Sequence, residues 1–362
     1  MIPYNMKTIR KVRPESFGGL VFSEKPGYVA YLNKPTAKLM GIKNDDNIAL
    51  PEGVFSFPMD AHFALTTRCN LFCKGCYTTT VADKKCDMDF EKAKRIIDNL
   101  SKMNVFSISF GGGEPTLYPR LFELAEYARS KKVLPNITTN GVNMNAELAP
   151  KMKVFGNIHL SLHAMKDINH LERAVELLEK AGVKQIGLNL LLSTDTIPNI
   201  ESIFKWAKEQ RFQRVLCLRY KSTGKNKDIS DMSIDDNYGD VFREILRWGK
   251  KYKLKVMTDC SAMQELLSYE KISKKLLYYF DTNGCQGGNA YIAITVEGGV
   301  KPCSFWSEAF FDAETMTQKD WLNNEKIVAF RNALHSENCK SCKHFKLCNG
   351  GCRLQGLSCC KD

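Results

Sequence analysis

The sequence has 362 residues, 44% of them hydrophobic, and a formal net charge of +12. A chain of this size can bury one large core with attachments, or two domains. It contains no apolar run of signal-peptide length and nothing near the roughly 20 apolar residues of a membrane span, so we expect a cytoplasmic protein without a membrane partner. The basic residues lie in short scattered pairs, which indicates at most a weak attraction to an acidic peptide or RNA.

Residues 1–60 predict a small α+β attachment. The stretch GGLVFSEKPGYVAYLN indicates two strands around a Lys-Pro-Gly turn. A short helix is expected near 34–41, directly after the second of these strands.

Residues 61–258 alternate short apolar runs with amphipathic segments, a pattern typical of βα units around a parallel sheet. Strands are expected near 62–67, 105–110, 134–139, 157–162, 185–191 and 213–219, and helices near 89–103, 119–132, 145–154, 167–181 and 197–210. Six such units are too few for a closed eight-unit barrel. The sequence therefore predicts an α/β fold built on a partial, open (β/α)6 barrel.

Residues 259–362 form the third predicted region. A helical stretch is expected to about residue 280, and a tail rich in Gly and Cys follows it. Within this tail YIAITVEGGVKPC predicts a hairpin that turns at Glu297-Gly298-Gly299.

The chain contains 14 cysteines. Thiols stay reduced in the cytoplasm, so their clustering indicates metal binding rather than disulfides. Three of them, Cys86, Cys217 and Cys260, stand apart from the clusters, and we expect them to be buried as hydrophobic residues.

The first cluster is Cys69, Cys73 and Cys76 in the stretch TTRCNLFCKGCYTT. Structural zinc prefers a closed set of four ligands, and this trio has no fourth Cys or His close by, since His62 is expected to line the core or a pocket. A cubane of four irons, each normally bound by one thiolate, would keep one iron open here. The trio also follows the first barrel strand, where parallel strands present active-site loops.

The CxxxCxxC trio after the first strand, together with SFGGGEP after the second, resembles the radical S-adenosylmethionine (SAM) superfamily. The resemblance implies that the open iron of a [4Fe–4S] cluster binds SAM through its amino and carboxylate groups. It implies that an electron from the cluster cleaves SAM to a 5′-deoxyadenosyl radical, which takes hydrogen from a substrate. A low-potential electron donor such as flavodoxin or ferredoxin is implied as a partner.

The same resemblance indicates residues that bind SAM. Gly112, Gly113 and Glu114 match the family's GGEP segment. In that segment the glycines let backbone carbonyls approach the amino group of the methionine part of SAM, and the acidic side chain accepts a hydrogen bond from the same amino group. Further expected SAM contacts, in chain order, are Tyr77, Asn140, Ser161 and Asn189. Tyr77 is expected to cover part of the adenine packing, because Gly75 stands where the family commonly has an aromatic residue.

The CxxCxxxxxCxxxC portion of the tail, taken alone, favours zinc, since four thiolates close a tetrahedral site. The full set of tail cysteines suits two centres and resembles the SPASM domain, which holds two auxiliary [4Fe–4S] clusters. The resemblance assigns Cys285, Cys303 and Cys352 to one cluster, and Cys339, Cys342, Cys348 and either Cys359 or Cys360 to the other. Residues 286–291 offer no further cysteine, so an open iron or a non-thiolate ligand is expected in the first cluster.

SPASM enzymes mostly modify peptides or proteins by oxidation, crosslinking, thioether formation or epimerisation, and others act on small molecules. The hairpin and helix of residues 1–60 resemble part of the element that binds leader peptides, which favours a ribosomally made peptide as substrate. Oxidation or decarboxylation of a small molecule such as a tetrapyrrole is the alternative. A zinc-dependent module that binds nucleic acid or protein is a distant third, because it leaves GGEP and the open trio unexplained.

Overall fold

The computed structural model describes residues 8–25, 27–43, 50, 54–74, 76–78, 86–221, 223, 238–260, 262, 284–333 and 338–354. These residues form a three-stranded sheet near the N-terminus and a ten-stranded sheet that carries the rest of the fold. Within the described ranges, no helix has the length and apolar character needed to cross a membrane.

The N-terminal sheet is antiparallel, with the strand order β1-β2-β3. Its elements are β1 (Arg10–Glu15), β2 (Gly18–Ser23), β3 (Tyr28–Asn33) and the following helix α1 (Lys34–Leu39). The predicted hairpin and helix are confirmed, and the Asn33 side chain caps α1 by accepting from the Thr36 amide at 3.0 Å. The sequence did not predict β1.

Charged side chains on β1 face inward and fasten this sheet to the amino end of the barrel. Arg13 is buried, with its guanidinium 2.8 Å from Glu15 and donating to the carbonyl oxygen of Pro58 at 2.8 Å. The Lys11 ammonium donates to the Val105 carbonyl at 2.6 Å, and burial lowers the pKa of Lys11 to about 7. Every one of these charges has a hydrogen-bond partner, which makes its burial tolerable. The N-terminal sheet thus caps the bottom of the barrel.

The ten-stranded sheet has the order β10-β9-β8-β7-β6-β5-β4-β11-β12-β13 and is open. Its parallel barrel strands are β4 (Asp60–Thr66), β5 (Ser107–Gly112), β6 (Leu134–Thr139), β7 (Ile158–Leu162), β8 (Ile186–Leu192), β9 (Arg214–Arg219) and β10 (Lys255–Thr258). The alternating helices are α2 (Phe90–Lys102), α3 (Leu121–Ser130), α4 (Leu148–Lys151), α5 (Ile168–Lys180), α6 (Ile200–Glu209) and α7 (Tyr238–Tyr252). The predicted six βα units are confirmed, with β10 as an additional edge strand.

Helix α2 shows how the pattern of the sequence produces these units. Its buried residues are Ala93, Ile96, Ile97 and Leu100, which lie on one face of a helix and pack against the sheet. The carboxylate of Asp89 caps its first turn by accepting from the Lys92 amide at 2.8 Å.

The C-terminal region continues the barrel sheet. Its strand β11 (Tyr291–Ile294) pairs parallel with β4, and β12 (Gly299–Lys301) and β13 (Phe311–Asp312) add antiparallel. The predicted hairpin is confirmed, with Gly298 at its turn in a left-handed conformation, φ +95°. Helices α8 (Gln318–Asn323), α9 (Glu325–Asn332), α10 (Asn338–Ser341) and α11 (Phe345–Cys348) follow. The helical stretch expected up to about residue 280 lies outside the described residues.

Candidate active site

The cysteine trio lies on the loop that leaves the carboxyl end of β4. Cys69, Cys73 and Cys76 are all half-buried free thiols, and the Cys76 amide donates to the Cys73 carbonyl at 3.3 Å. Burial raises the pKa of Cys69, and it raises the pKa of Cys73 to about 12, with the neighbouring thiols adding to both shifts. These two free thiols are therefore protonated near pH 7, and a bound metal would have to displace their protons. Three sulfur donors on one loop are the ligand type that an iron–sulfur cluster takes.

The base of this loop is held on both sides. The Arg68 guanidinium pairs with the Asp87 carboxylate at 2.6 Å and also donates to the Leu117 carbonyl at 2.6 Å. The first contact joins the loop to the segment before α2, and the second joins it to the segment after β5. The backbone just before Cys69 is therefore fixed.

The glycines after β5 allow a close approach of two backbones. The Gly113 amide donates to the Thr66 carbonyl at 2.7 Å, and the Glu114 amide donates to the Arg68 carbonyl at 2.8 Å. A Cβ atom on Gly113 would lie 2.0 Å from the Arg68 oxygen, and Gly112 has a φ of +105° that side-chain-bearing residues rarely adopt. In this structure the glycines thus pack the GGE segment against the start of the cysteine loop.

Glu114 is buried and joins the ends of β5 and β6. Its Oε1 accepts from the Thr116 hydroxyl at 2.7 Å and the Thr139 hydroxyl at 2.6 Å, while its Oε2 accepts from the Asn140 amide at 2.8 Å. Burial raises the pKa of this carboxyl, and these hydrogen bonds oppose the shift. A carboxylate oxygen has about two acceptor sites. With one donor on Oε2 among the described residues, that oxygen has room for one more, such as an ammonium group.

Asparagine side chains extend this arrangement to the cysteine loop. The Asn140 side chain donates to Asn70 at 2.7 Å, the Asn70 side chain donates to Asn143 at 3.1 Å, and Asn143 donates to Thr116 at 3.2 Å. Sequence reasoning found Asn140 and missed Asn70 and Asn143. The position of Asn70 directly after Cys69 was the available signal. The carboxyl ends of β4, β5 and β6 are therefore linked by one hydrogen-bonded network.

Ser161 and Asn189 are register partners on the neighbouring strands β7 and β8. Asn189 is buried, and its side-chain oxygen lies 2.5 Å from Nδ1 of His159. Burial lowers the pKa of His159 to about 4, so this imidazole is neutral near pH 7. The expected contacts of Ser161 and Asn189 with SAM stay predictions.

A cavity of about 320 Å³ opens beside Gly112 and Tyr77. The barrel wall of this cavity contributes His62, Thr66 and Thr67, and the C-terminal region contributes Lys301, Ser304, Phe305 and Trp306. The centroids of the Tyr77 and Phe305 rings are 4.8 Å apart, so Tyr77 lies at the boundary between the barrel and the C-terminal region. Its expected contact with adenine stays a prediction.

A polar chain crosses the same cavity wall. Nδ1 of His62 lies 3.1 Å from the Ser304 hydroxyl, which in turn lies 2.7 Å from the Tyr291 hydroxyl. Burial lowers the pKa of His62 to about 4, so His62 is a neutral hydrogen-bonding group rather than a cation. Because Ser304 follows Cys303 directly, one wall of the cavity is continuous with the first expected auxiliary-cluster segment.

The cysteines of that segment come together, and a further one joins them. Cys285 and Cys352 are buried, Cys303 and Cys260 are half-buried, and the Cys260 thiol lies beside that of Cys285. The prediction that Cys260 is an isolated core residue is therefore wrong. It is confirmed for Cys217, which is buried in the main core, whereas the similarly interpreted Cys86 is only half-buried at the core's edge.

The second expected auxiliary set lies on α10, α11 and the turn between them. Cys339 is buried, Cys342 exposed and Cys348 half-buried, and the Cys342 amide donates to the Cys339 carbonyl at 3.4 Å. Cys359 and Cys360 lie outside the described residues.

Across the described ranges, no three His, Cys, Asp or Glu side chains form a group that could hold a metal ion. Ligands of a single ion must converge on one point. In a cubane each thiolate binds a different iron, so its ligands stand further apart. The cysteine sets therefore suit multi-iron clusters rather than a single ion.

An open parallel barrel with three thiols on its first rim loop, and further cysteine sets beside it, is the arrangement that the resemblance to SAM-cleaving iron–sulfur enzymes predicts. Residues 63–216 match the model of the radical SAM superfamily, and residues 285–344 match that of the SPASM iron–sulfur cluster-binding domain. The chain belongs to the radical SAM superfamily and is an enzyme with a C-terminal SPASM domain. These two domains imply iron–sulfur clusters and SAM as its cofactors.

Similar proteins include a maturase and an iron-coproporphyrin synthase. The chain is 26% identical over 351 residues to the Fe-coproporphyrin III synthase of Methanosarcina barkeri, covering 86% of this chain and 88% of that protein. It is 26% identical over 314 residues to the mycofactocin maturase MftC of Mycolicibacterium smegmatis, covering 82% and 78%. Streptococcus suis SuiB bound to S-adenosylmethionine has the same fold, with a TM-score of 0.75, 18% identity and coverage of 98% and 100%.

Proposed function

We propose that this enzyme modifies a side chain of a ribosomally made peptide or protein by SAM-dependent radical chemistry. The observation that carries the proposal is the cavity that joins Gly112 and Tyr77, beside the cysteine trio, to Ser304, beside Cys303. A substrate group in this cavity lies between the proposed SAM site and the proposed first auxiliary cluster. When bound, the cluster and SAM supply a radical that removes a hydrogen atom from the substrate.

The chain's own residues then have separate tasks. Cys69, Cys73 and Cys76 hold the SAM-binding [4Fe–4S] cluster and leave one iron for SAM. The remaining SAM contacts are assigned to Tyr77, Gly112, Gly113, Glu114, Asn140, Ser161 and Asn189. Glu114 accepts a hydrogen bond from the methionine ammonium through Oε2, and the hydrogen bonds to Thr139 and Asn140 hold its carboxylate in place.

Two auxiliary [4Fe–4S] clusters complete the proposed set of three. Cys285, Cys303 and Cys352 hold the first, and Cys339, Cys342, Cys348 and one of Cys359 and Cys360 hold the second. Phe305 and Trp306 give the cavity an apolar wall, which would shield a reactive intermediate from water on that side. A low-potential donor such as flavodoxin or ferredoxin supplies the electron.

The N-terminal sheet supports a peptide substrate because it offers an edge. In the described part of the chain, β3 pairs only with β2, and its Tyr28 and Val29 side chains are 48% and 37% exposed. An extended leader can add to such an edge as a further strand, with backbone hydrogen bonds for affinity and side-chain contacts for specificity. The formal charge of +12 favours an acidic leader.

The names of similar proteins support the same substrate class. MftC is a maturase, and SuiB, whose structure with the precursor peptide SuiA has a TM-score of 0.73, binds such a peptide. The tetrapyrrole alternative has the stronger support from sequence, since the Fe-coproporphyrin III synthase matches at the same 26% identity over 351 residues, against 314 for MftC. The cavity favours the peptide, because about 320 Å³ lies at the small end of ligand pockets and suits one side chain better than a macrocycle of four rings.

The test uses anaerobically reconstituted enzyme with SAM and dithionite, and two substrate panels. One panel contains short peptides encoded beside the gene, with their leaders, and the other contains coproporphyrin III and its iron complex. We expect mass spectrometry to find a changed peptide and an unchanged porphyrin. A changed porphyrin with every peptide intact would contradict the proposal.

A pair of variants tests the edge of the N-terminal sheet. Val29→Glu places a charge on β3, and the matched control Val12→Glu places one on β1 at the opposite edge, where Val12 is 45% exposed. We expect Val29→Glu to lower modification of leader-bearing peptide about 10-fold, corresponding to about 1.4 kcal/mol of lost leader binding, with SAM cleavage in the absence of peptide unchanged. Equal modification by both variants would show that the leader does not bind at β3.

A further inference from the structure

We infer that Cys260 is the fourth thiolate ligand of the auxiliary cluster held by Cys285, Cys303 and Cys352. The inference rests on the proposed assignment of that cluster and changes one of its properties. Residues 286–291 contain no cysteine, which predicted an open iron or a non-thiolate ligand at this cluster. Cys260, which precedes the residues that match the SPASM model, supplies the fourth thiolate instead.

Cys260 comes to this position through an unpredicted strand. β10 ends at Thr258 and pairs parallel with β9, so the residues after it emerge at the same rim of the sheet as the other active-site loops. The Asp259 amide donates to the Cys217 carbonyl at 3.2 Å, and the Ala262 amide donates to the Asp259 carbonyl at 3.1 Å. These two hydrogen bonds make a turn around Cys260 and fix its backbone.

The Cys260 thiol lies among the other three. It lies beside the Cys285 thiol and within electrostatic reach of both Cys303 and Cys352. The Lys221 ammonium, which pairs with Asp259, also lies 4.5 Å from the centroid of the Phe305 ring, two residues after Cys303. The Cys285 backbone is itself held, because its carbonyl accepts from the side chains of Asn289 at 3.3 Å and Asn349 at 2.8 Å. Four thiols from four separate segments therefore meet in one place, with the ligand count of a fully bound cubane.

Cations surround this group in a way that suits an anionic cluster. Lys221 is buried, forms an ion pair with Asp259, and lies within electrostatic reach of Cys260 and Cys352. Arg353 lies near Cys285, and its buried Nε has no hydrogen-bond partner among the described residues. A buried donor without a partner is costly. A cluster with four thiolate ligands would supply the missing acceptor for Arg353 and a further negative partner for Lys221.

A closed first auxiliary cluster has a consequence for its role. With every iron bound by a thiolate, none is left for direct binding of the substrate. Held by these four cysteines, the cluster would be able to exchange electrons with a substrate in the cavity beside Ser304, but it would not be able to bind that substrate directly.

The test first removes the ligands of the SAM-binding cluster, so that the readout is the iron content and spectrum of the auxiliary clusters and not enzyme activity. In the Cys69→Ala, Cys73→Ala, Cys76→Ala background two cubanes remain, about eight irons per chain. Electron paramagnetic resonance of the dithionite-reduced protein is recorded with and without cyanide, a small ligand for an open iron. We expect the spectrum of the triple variant to be the same with and without cyanide. We expect the triple variant that also carries Cys260→Ala to show a cyanide-dependent shift or to lose about four irons.

Two further variants keep the result interpretable. Cys217→Ala removes a buried thiol on the adjacent strand and should match the background in iron content and spectrum. Cys260→Ser offers an oxygen ligand and should keep the iron while shifting the spectrum. A Cys260→Ala protein with unchanged iron and no response to cyanide would overturn the inference, as would a cyanide response in the background itself. A background without any iron would instead contradict the proposed auxiliary clusters.

Discussion

Replacing Gly113 with alanine should separate the cysteine loop from the end of β5. The added Cβ would lie 2.0 Å from the Arg68 carbonyl oxygen and 2.6 Å from its carbon, which are backbone atoms that no rotamer change can remove. Contacts of Cβ below 3.0 Å do not persist, so the two backbones must separate by about 1 Å. The hydrogen bond from the Glu114 amide to the Arg68 carbonyl would be lost, at roughly 1 kcal/mol.

A misplacement of about 1 Å near reacting groups can lower a rate about 100-fold, and we expect that loss in 5′-deoxyadenosine formation under dithionite. Gly27→Ala is the matched control, because its Cβ would meet only an ordinary 3.5 Å contact with the Glu24 carbonyl. The auxiliary iron should stay in both variants. Wild-type SAM cleavage by Gly113→Ala would refute the view that these glycines position the cysteine loop.

Three other predictions concern single side chains. Glu114→Gln turns one acceptor oxygen into an NH₂ group facing the Thr139 hydroxyl or the Asn140 amide, so the Kd for SAM should rise about 10-fold or more; an unchanged Kd, measured by equilibrium dialysis, would contradict it. Burial lowers the pKa of Lys11 from 10.5 to about 7 in the folded protein. Between these two pH values the unfolded chain binds more protons than the folded one, so the free energy of unfolding should rise with pH over this range. Lys11→Met should lose this pH-dependent part of the unfolding midpoint, while the exposed-site control Lys38→Met keeps it. Equal slopes in the two variants would show that folding does not lower the pKa of Lys11. Folded Cys303→Ala should still cleave SAM but should form less modified product per 5′-deoxyadenosine, and a wild-type ratio would exclude its cluster from the chemistry.

The barrel was predictable because its signal is local. Strands β4 to β9 lie within two residues of their predicted positions at either end. Each is a short apolar run followed by an amphipathic helix, and burial of one face determines both elements. The order of the CxxxCxxC and GGEP motifs along these strands was then enough to place both at the same rim.

Strand β1 was missed because its inward positions carry charges. In RKVRPE the buried residues are Lys11, Arg13 and Glu15, so the alternation that indicates a half-buried strand is reversed. The partners that make this burial tolerable, such as the carbonyls of Val105 and Pro58, come from distant segments. No local pattern shows them.

The position of Cys260 was missed for a related reason. β10 has only four residues, too short for a periodic signal, and without it nothing places Cys260 at the rim. Cys260 follows β10 at one edge of the ten-stranded sheet, whereas Cys285 precedes β11 on the far side of β4, so no local pattern places them together. Spacing within the tail could not reveal a ligand that comes from outside it.

The reaction at the cysteine trio is tested most directly by 5′-deoxyadenosine formation in anaerobically reconstituted protein with SAM and dithionite. The wild type should form it, and the Cys69→Ala, Cys73→Ala, Cys76→Ala protein should form none while keeping roughly two thirds of its iron in the auxiliary clusters. Continued SAM cleavage by the triple variant would contradict the assignment of these three cysteines as ligands of the SAM-binding cluster.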